Sequence, residues 1–550
     1  MINSIDCLEK FKIELIKWIQ PQIENNEQLK KIVFFSYGNR NNRCKVWATN
    51  HHDSKIVLRR FINFIDKYYS KNRFLPEFLK IDIAVNIEKK SWKTVLDEVN
   101  QQKHNNHFRK GISFDENFNM CFLEQEIYGK AIIKGLVHNE PNFFDEKNLN
   151  DAIHKKYPTV TANYDLSKIQ HVWVFDTISS IYESETFLSL QCGGPVNGVR
   201  KIIGDNKAHI KEVVIQNAAF LHGEIQDTGR FIYGYFPAYN REIKSYNTVR
   251  HCTAVYALLE TLEVDYKQEY LVKIRSAMQY AIQMFFKDVN GCGFMTDGAN
   301  DDEIKLGANA AAIFMFAKYQ EITSDDQFQS FAEKLAKGIL YMVGEQGQTT
   351  HILEYPSLET KEKFRIVYYD GEAALGLLRL YQINQDEILL QTVKLMFEHF
   401  IQKNYEKYHD HWLSYCTNEL TKICPEKKYF EFGLNNYLKH MKFIAERKTS
   451  YATFLEMMMS AYKMVVRMRD QGFDELFAKA KFEELKRLIE LRVEFQRSTG
   501  FFYPEVAMYT AKPIQILNAF YVRHDRFRTR IDDQEHNLSG YVAYINYFKK

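Results

Sequence analysis

Residues 309–317 read NAAAIFMFA, a run in which three alanines lead into large apolar side chains without a single charge. A helix that is apolar on nearly all faces must be covered all round, so this run predicts a helix buried inside a larger helical assembly. The same progression, from a small polar or acidic residue into small and then large apolar residues, begins at three other places, residues 253, 372 and 453.

Each of these four segments is followed by a second, more charged amphipathic helix, and the pairs recur about every 60 residues, or about 80 before residue 453. Helices that alternate between apolar and charged can pack as a closed inner ring of apolar helices within an outer ring of charged ones. The alternative is an open solenoid. The small residues Ala254, Ala310, Ala373 and Gly376 would let the inner helices approach closely. With a helix near 206–222 as the entry, five or six hairpins are available. The predicted second helices are 265–285, 325–343, 385–403 and 472–495.

The first part of the chain mixes two periods. Residues 31–37, 44–48 and 78–85 have the composition of strands, whereas residues 54–70 carry apolar side chains at helical spacing. We therefore predict an α+β N-terminal domain followed by a mainly α (α/α) toroid of helical hairpins. The predicted boundaries are 1–165 for the α+β domain, 166–205 for a connector whose secondary structure the sequence leaves open, and 206–550 for the toroid.

The composition excludes several classes of protein. The 73 basic and 70 acidic residues leave a net charge of +3, which gives no overall field for nucleic acid. The densest apolar stretch, residues 310–317, is far too short for a membrane span. Eight scattered cysteines without a C-x-x-C pair predict neither a zinc site nor disulfides, and together with the absence of a signal peptide they favour a cytoplasmic location.

The repeat resembles the six-hairpin (α/α)-toroid superfamily of carbohydrate-active enzymes over about residues 206–545. That superfamily includes glycoside hydrolases, unsaturated-uronide hydrolases, polysaccharide lyases and sugar epimerases. The resemblance implies a site where the loops between hairpins meet at the mouth of the inner ring. The same ring also serves prenyltransferase subunits and lanthionine cyclases, so the fold alone does not assign a function.

Residues 245–251 directly precede the first apolar segment and contain three candidate substrate-binding residues, Tyr246, Arg250 and His251. A cation at a helix N-terminus is electrostatically misplaced, which predicts a partner for Arg250. That partner is either an anionic ligand such as a uronate or an internal carboxylate.

A second candidate is the stretch 368–372, YYDGE. Asp370 and Glu372 open an otherwise apolar helix, so at least one should face the ring mouth. There, beside Tyr369, its pKa would be raised, which suits a general acid. The alternative is that Asp370 caps the helix.

A third candidate is the C-terminal run 523–537, which holds four arginines, two histidines and several acids. Arginine forks suit carboxylate or phosphate groups, whereas a charge network that ties the last hairpin to the ring is the alternative. From this run and the preceding stretch 502–505 we predict catalytic residues Asp532, Asp533 and His536 and substrate-binding residues Tyr503, Glu505, Arg528 and Arg530.

Two weaker candidates complete the set. Residues 409–411, HDH, have the spacing of two metal ligands on a strand but lack a third, and the neighbouring Trp412 could stack on a sugar. Residues 297–303, DGANDDE, are an acid-rich loop, either solvated or a cation site, without the register of a calcium loop.

We therefore expect a carbohydrate-active enzyme that acts on an anionic, uronate- or phosphate-bearing glycan by acid/base chemistry in the toroid mouth. Paired carboxyl groups, Asp370 or Glu372 with Asp532 or Asp533, would act as acid and base. The sequence leaves open a glycoside hydrolase, a lyase or an epimerase, and it predicts no cofactor and no metal. The alternative is a non-catalytic or accessory toroid that binds a polymer or peptide partner in cell-surface polymer assembly.

Overall fold

A computed structural model describes residues 4–25, 31–102, 107–135, 141–297 and 300–549 of the chain. The helices are α1 (Ser4–Glu24), α2 (Ser54–Asn72), α3 (Trp92–Asn100), α4 (Glu124–Gly129), α5 (Glu146–Lys156), α6 (Asn206–Gly223), α7 (Thr248–Thr261), α8 (Tyr270–Phe285), α9 (Leu306–Thr323), α10 (Gln329–Met342), α11 (Tyr368–Asn384), α12 (Glu387–Gln402), α13 (His411–Ile423), α14 (Lys427–Leu438), α15 (Met441–Glu446), α16 (Thr453–Asp470), α17 (Asp474–Phe477), α18 (Phe482–Gly500), α19 (Pro504–Ala507) and α20 (Ile531–Tyr547).

The strands are β1 (Lys31–Asn39), β2 (Asn42–His51), β3 (Phe78–Ser91), β4 (Gly111–Ser113), β5 (Cys121–Phe122), β6 (Ile133–Lys134), β7 (Phe143–Phe144), β8 (His171–Glu183), β9 (Thr186–Ser189), β10 (Gly234–Phe236), β11 (Arg241–Glu242), β12 (Phe286–Val289), β13 (Cys292–Asp297), β14 (Asn300–Lys305), β15 (Ile352–Glu354), β16 (Thr360–Glu362) and β17 (Thr529–Arg530).

The chain divides into two compact units, and neither is a continuous segment. Unit 1 consists of Met1–Gly204, Tyr235–Glu242 and Ser498–Thr529. Unit 2 consists of Asp205–Gly234, Ile243–Arg497 and Arg530–Lys550. The predicted boundary near residue 206 therefore coincides with the first change of unit, but two later segments of the predicted toroid belong to unit 1.

Unit 1 is built on an antiparallel sheet with the strand order β2-β1-β3-β8-β4-β5, and β9 pairs with β8. One face of the sheet packs against α1 and α2 through a cluster that includes Phe11, Phe35, Phe61 and Ile81. On the other face, Phe34 and Phe175 cluster with Met508 and Tyr509. The apolar side chains of β1 thus serve both faces of the sheet, as alternation along a strand requires.

The predicted connector 166–205 does not link two domains; much of it lies inside this sheet. β8 pairs with β3 on one side and with β4 on the other, from His171 to Glu183. Val172, Val174 and Phe175 are buried in the cores of unit 1. β8 packs on both faces of the sheet, with Val172 and Val174 in one cluster and Phe175 in another, so its sequence lacks the simple alternation that marks a half-exposed strand.

Unit 2 contains a closed ring of six helices within the described residues. Each of α7, α9, α11, α13, α16 and α20 contacts the next, and α20 contacts α7. Outside the ring, α6, α8, α10, α12 and α14 pack against it, and α18 is tied to α20 by a hydrogen bond that Tyr541 Oη donates to the Val493 carbonyl oxygen over 3.0 Å. The predicted α+β domain and (α/α) toroid are both confirmed, and closure replaces the open solenoid.

The ring closes tightly where the sequence supplies small residues. Every residue of α9 from Leu306 to Tyr319 is buried, as the run NAAAIFMFA predicts. α9 and α11 approach so closely that a Cβ on Gly376 would lie 3.2 Å from Cα of Ala310. Close approach of this kind lets one inner helix cover the next.

Two inner helices were not predicted as helices of the ring. The long interval before residue 453 contains α13 and α14, so Trp412 lies in an inner helix and not in a loop. The last inner helix is α20 and not residues 511–522, which form turns and a short 3₁₀ segment. Polar residues obscure the apolar faces of both helices in the sequence. α13 contains Asn418 and Glu419, and four acids and amides lie near the start of α20.

The acid-rich stretch 297–303 is a β-hairpin formed by β13 and β14, not an open loop. Of its residues, 298 and 299 and the side chains of 300–302 lie outside the described part of the structure. The Glu303 carboxylate is bound by Arg365, with Nη1 3.0 Å from Oε2, and this contact lowers its pKa to about 2. No helix among the described residues has both the length and the hydropathy to cross a membrane.

Candidate active site

A cavity of about 230 Å³ lies at the N-terminal ends of five of the ring helices in unit 2. Because these helices all present their first turns to it, the ring helices concerned run parallel, and polar residues near their starts converge. Backbone N–H groups of a first turn have no intrahelical partner, so helix starts concentrate polar side chains. The lining residues are Asn247, Val249, Arg250, Thr253, Ile366, Tyr368, Tyr369, Glu372, His411, Trp412, Thr453, Asp532, Glu535 and His536.

Two imidazole rings meet in this cavity, His411 at the start of α13 and His536 in the second turn of α20. Their ring centroids are 5.3 Å apart, and the planes are nearly perpendicular at 80°. His411 is buried, and its Nε2 has no hydrogen-bond partner among the described residues. Its Nδ1 lies 3.0 Å from Oδ1 of Asp410, whose other oxygen accepts a hydrogen bond from the Leu413 N–H and caps α13. The cap thus places a carboxylate beside His411 and leaves Nε2 available to a ligand.

His536 is held between two carboxylates. Its Nδ1 lies 2.9 Å from Oε2 of Glu456 and 3.2 Å from Oε2 of Glu535. Burial of the imidazole disfavours its charged form, but Glu535 and Glu456 together outweigh burial and raise the pKa of His536 well above its usual value. The Tyr415 hydroxyl donates to Oε1 of Glu456 over 3.1 Å, which fixes that carboxylate. The two carboxylates thus favour the protonated form of His536.

Glu372, the fifth residue of α11, has a buried carboxyl group with a strongly raised pKa. Burial is the largest cause, the nearby acids Asp410 and Glu535 add to it, and together they raise the pKa of Glu372 to about 8. Its Oε2 has no hydrogen-bond partner among the described residues. A buried polar atom without a partner in the protein points to a ligand or a bound water. At neutral pH this group is protonated and is a proton donor.

Arg250, in the first turn of α7, is matched within the protein by Asp532. Its Nε lies 3.0 Å from Oδ2 of Asp532, and its Nη1 donates to the Tyr233 hydroxyl over 2.6 Å. Nη2 of Arg530 also reaches Oδ2 of Asp532, at 2.6 Å. The sequence left open whether Arg250 pairs with an anionic ligand or with an internal carboxylate. The structure contains the internal carboxylate, Asp532.

Six of the predicted site residues line this cavity, although they come from segments up to 286 positions apart, from residue 250 to residue 536. Trp412 is nearly fully buried and presents its ring beside that of Phe314, with centroids 5.4 Å apart. The six are Arg250, Tyr369, Glu372, Trp412, Asp532 and His536.

Five other predicted residues of unit 2 make contacts within the wall of the ring and do not line the cavity. They are Tyr246, His251, Asp370, Arg530 and Asp533. Asp370 is buried and accepts hydrogen bonds from Nε2 of His351 over 3.1 Å and from the Thr349 hydroxyl over 2.5 Å. His251 is fully buried, and burial lowers its pKa to about 4. Its Nε2 donates to the Ala277 carbonyl oxygen over 2.9 Å, and its Nδ1 accepts from the Tyr246 hydroxyl over 2.8 Å.

The remaining two of the five lie at the start of α20. Asp533 caps the helix, since its Oδ2 accepts a hydrogen bond from the Arg530 N–H over 2.8 Å. Arg530 supports Asp532 from outside the cavity.

Three predicted residues, Tyr503, Glu505 and Arg528, belong to unit 1. Glu505 is fully buried there and pairs with Arg200, whose Nη2 lies 2.7 Å from Oε2. Arg528 pairs with Asp525 over 2.5 Å. These pairs are internal to unit 1, so part of the C-terminal run forms a charge network there, whereas Asp532 and His536 line the cavity of unit 2.

Glu456 and Glu535 were not singled out from the sequence as site residues, and His411 was considered only as a metal ligand on a strand. Glu456 breaks an apolar, methionine-rich helix near its start, and the same signal led to Glu372. His411 opens a helix instead of lying on a strand. Within the described part of the chain, only His411 of the HDH motif belongs to a group of possible metal ligands, since ligand atoms of His411, Glu456 and His536 all lie within 4.8 Å of one another, whereas His409 contacts the Asn436 carbonyl oxygen.

No protein-family model matches the sequence, and no curated protein matches it. Among solved structures, a cellobiose 2-epimerase from Bacillus thermoamylovorans is similar at 14% identity and a TM-score of 0.47, covering 62% of this chain and 99% of that one. A D-mannose isomerase is similar at 13% identity and a TM-score of 0.47, covering 63% and 99%. An alpha-1,6-mannanase from Salegentibacter sp. is similar at 12% identity and a TM-score of 0.43, covering 61% and 99%. These likenesses concern the fold alone and carry no argument about chemistry.

Proposed function

We propose that this chain is a carbohydrate isomerase or epimerase that moves a proton on a carbon next to the carbonyl group of an open-chain sugar. The observation that carries the proposal is the meeting of His411 and His536 in one cavity, in opposite protonation roles. His411 offers an unpartnered Nε2 to act as a base, and His536, charged by its two carboxylate neighbours, is an acid. Positioned acid/base pairs of this kind typically contribute about 10²–10⁴-fold each to a rate.

The proposed reaction begins when Nε2 of His411 takes the proton from the carbon beside the carbonyl group. The electron pair of that C–H bond forms a carbon–carbon double bond, and the carbonyl oxygen takes a proton from His536 to give a neutral enediol. Asp410, 3.0 Å from Nδ1 of His411, stabilises the positive charge that His411 acquires. The carboxyl group of Glu372 supplies a neutral hydrogen-bond donor for a sugar oxygen in the same cavity.

The reaction ends with the return of both protons. His536, now neutral, accepts a proton from a hydroxyl group of the enediol, a carbonyl group re-forms, and His411 returns its proton to carbon. Return to the neighbouring carbon gives the isomer, and return to the first carbon gives the epimer once the enediol has turned its other face towards His411. The two rings are only 5.3 Å apart, so they approach the substrate from one side, which favours transfer between neighbouring carbons.

The lining of the cavity supports a sugar as the substrate. The rings of Trp412, Tyr368 and Tyr369 stand beside acids, an arginine and two histidines, and sites for small molecules combine apolar walls with a few placed polar groups. A substrate of neutral charge fits best, because Asp532 already matches the charge of Arg250. The anionic glycan predicted from the sequence would have to compete with Asp532 for that guanidinium.

Hydrolysis is less well supported than proton transfer. A glycoside hydrolase needs a protonated carboxyl group and an ionised, available carboxylate on either side of the scissile bond. Glu372 has the properties of the first, but Asp532 is bound by Arg250 and Arg530. A non-catalytic toroid is less well supported as well, because strongly shifted, unpartnered acid/base groups in a cavity are typical of catalytic sites.

The experiment is proton exchange in D₂O, followed by ¹H NMR with glucose, mannose, fructose and cellobiose as neutral sugars and glucuronate as an anionic one. We expect the hydrogen beside the carbonyl group to be lost from at least one neutral sugar, with a new isomer or epimer appearing. His411→Gln and His536→Gln should each slow both signals at least 100-fold. His409→Asn is the matched control, since His409 contacts the Asn436 carbonyl oxygen and does not line the cavity.

The proposal fails if none of these sugars exchanges its hydrogen, or if either histidine variant exchanges it at the rate of the unmodified protein. Proton exchange with glucuronate alone would favour the anionic substrate that was predicted from the sequence. Release of reducing ends from an oligosaccharide without proton exchange would establish hydrolysis instead.

A further inference from the structure

A second and larger cavity, of about 870 Å³, lies at the other end of the ring of unit 2. It is lined by the last turns of α13, α16 and α20, whereas the first turns of the same helices line the candidate active site. The lining contains six cations and two acids. The cations are Lys422, Lys463, Arg467, Arg469, Lys486 and Lys549, and the acids are Asp470 and Glu483.

Half of these cations are neutralised within the protein, and the others are not. Lys463, Arg467 and Lys549 have no carboxylate within ion-pair distance among the described residues. The pairs that do form are Lys422 with Glu419 at 2.7 Å, Arg469 with Asp470 at 3.1 Å and Lys486 with Glu483 at 3.2 Å. The lining therefore carries more positive than negative charge.

Arg467 is fixed in place by neutral groups. Its Nη1 donates to the Thr421 hydroxyl over 2.9 Å and to the Asn418 carbonyl oxygen over 3.1 Å, and its Nη2 donates to Oδ1 of Asn418 over 3.2 Å. These partners hold the guanidinium without cancelling its charge. A cation that is already positioned loses little entropy when it binds an anion.

Lys463 lies one turn before Arg467 on α16, and the described residues give its Nζ no hydrogen-bond acceptor. The ammonium lies 4.9 Å from the centre of the Tyr547 ring. Burial lowers the pKa of Lys463 to about 8, so the group is still charged at neutral pH but is poorly solvated. A charged group that has lost water and gained no acceptor is stabilised by any anion that reaches it.

Aromatic rings complete the cavity. Tyr547 is half-exposed, and Tyr462 stacks on Phe482 with centroids 5.5 Å apart. Such faces suit the ring of a small organic molecule more than a free inorganic ion.

We propose that this cavity binds a small phosphate ester, with its phosphate group on Lys463 and Arg467 and its organic ring against Tyr547. A phosphate group carries close to two negative charges at neutral pH and offers three strong acceptor oxygens, which matches two adjacent uncompensated cations better than a carboxylate does. The site is separate from the candidate active site and does not depend on the function proposed for it.

The experiment is isothermal titration calorimetry at pH 7 and low salt, with inorganic phosphate, pyrophosphate and glucose 6-phosphate as probes. All proteins carry His411→Gln, so that no probe is consumed at the other end of the ring. We expect glucose 6-phosphate to bind more tightly than inorganic phosphate and both to weaken as salt is added. Lys463→Gln should weaken every probe at least tenfold. Tyr547→Ala should weaken glucose 6-phosphate at least threefold and leave inorganic phosphate unchanged.

Lys442→Gln is the control, since Lys442 is an exposed lysine of unit 2 outside the cavity. Circular dichroism of each variant separates loss of binding from loss of fold. Equal binding by the Lys463→Gln and Lys442→Gln proteins, or no binding of any probe at millimolar concentration, would overturn the proposal. Sugar isomerase activity in the parent protein without phosphate binding would leave the first proposal standing and remove this one.

Discussion

Nδ1 of His536 lies 2.9 Å from Oε2 of Glu456, although the two residues are 80 positions apart and belong to different ring helices. The contact joins α16 to α20 and gives the imidazole a permanent counter-ion. Because Tyr415 on a third helix donates to the other oxygen of Glu456, the position of the acid is set by three helices of the ring. The protonation state of His536 is thus a property of the closed ring.

The first prediction follows from this contact. Glu456→Gln removes one of the two carboxylates that hold the pKa of His536 above its usual value. The pKa should fall, so the alkaline limb of the pH–rate profile should move down by at least about one pH unit. The measurement is kcat against pH for whichever sugar shows proton exchange. Tyr415→Phe keeps the carboxylate and should move the limb far less; equal shifts would mean that packing, not charge, is responsible.

The second prediction concerns Glu372. Its pKa is about 8 in the folded protein, against 4.5 for an unperturbed glutamate, so the folded state holds a proton that the unfolded state releases between these values. The free energy of unfolding contributed by this group is therefore full below about pH 4.5 and is lost as the pH rises through about 8. Glu372→Gln cannot ionise, so its Tm relative to the unmodified protein should rise between pH 5 and pH 9. A Tm difference that is constant with pH would contradict the raised pKa.

The third prediction tests the space around that carboxyl group. A Cβ on Gly307 would collide with Oε2 of Glu372 and with the ring of Tyr369. Gly307→Ala should therefore displace both groups, destabilise the protein by about 1–3 kcal/mol and reduce activity. Urea denaturation measures the first effect. Gly223→Ala is the comparison, since a Cβ there meets no atom within 4 Å and should leave both stability and activity nearly unchanged.

The fourth prediction concerns metal ions. Ligand atoms of His411, Glu456 and His536 lie within 4.8 Å of one another, but a protonated His536 cannot bind a metal. Activity should therefore survive prolonged dialysis against a chelator, whereas added Zn²⁺ should inhibit by displacing that proton. Inhibition should weaken in Glu456→Gln. Loss of activity on chelation, restored by one added metal, would show that the three residues hold a working ion.

The sequence predicts the ring better than it predicts the site. A run such as residues 309–317 predicts a helix that is covered on all sides. Because similar runs recur along the chain, they predict a ring of such helices. The two inner helices that the sequence did not reveal, α13 and α20, begin with polar residues such as Asp410 and His411 or Asp532 and Glu535, and polar residues at the start of a helix obscure its apolar face.

The roles of individual residues depend on neighbours that sequence spacing does not reveal. Asp370 and Glu372 are two positions apart on one helix, yet the first is hydrogen-bonded to His351 and the second faces the cavity. His251 and His536 have the same chemistry, but burial without a carboxylate lowers the pKa of one and two carboxylates raise that of the other. Only the pairing of distant segments distinguishes these cases.

The interrupted course of the chain through unit 1 has a consequence for biosynthesis. Met508 and Tyr509 cover Phe34 and Phe175 on one face of the sheet, and the Cys44 N–H donates to the Met508 carbonyl oxygen over 2.8 Å. A ribosome adds about 5–20 residues each second, so the sheet waits on the order of half a minute, after residue 204 has been made, for the segment that covers it. During that time the nascent chain displays an uncovered apolar face, which is the kind of surface that chaperones bind. A fragment that stops at residue 204 would never leave this state, and the first 204 residues thus depend on the segment Ser498–Thr529 for their solubility.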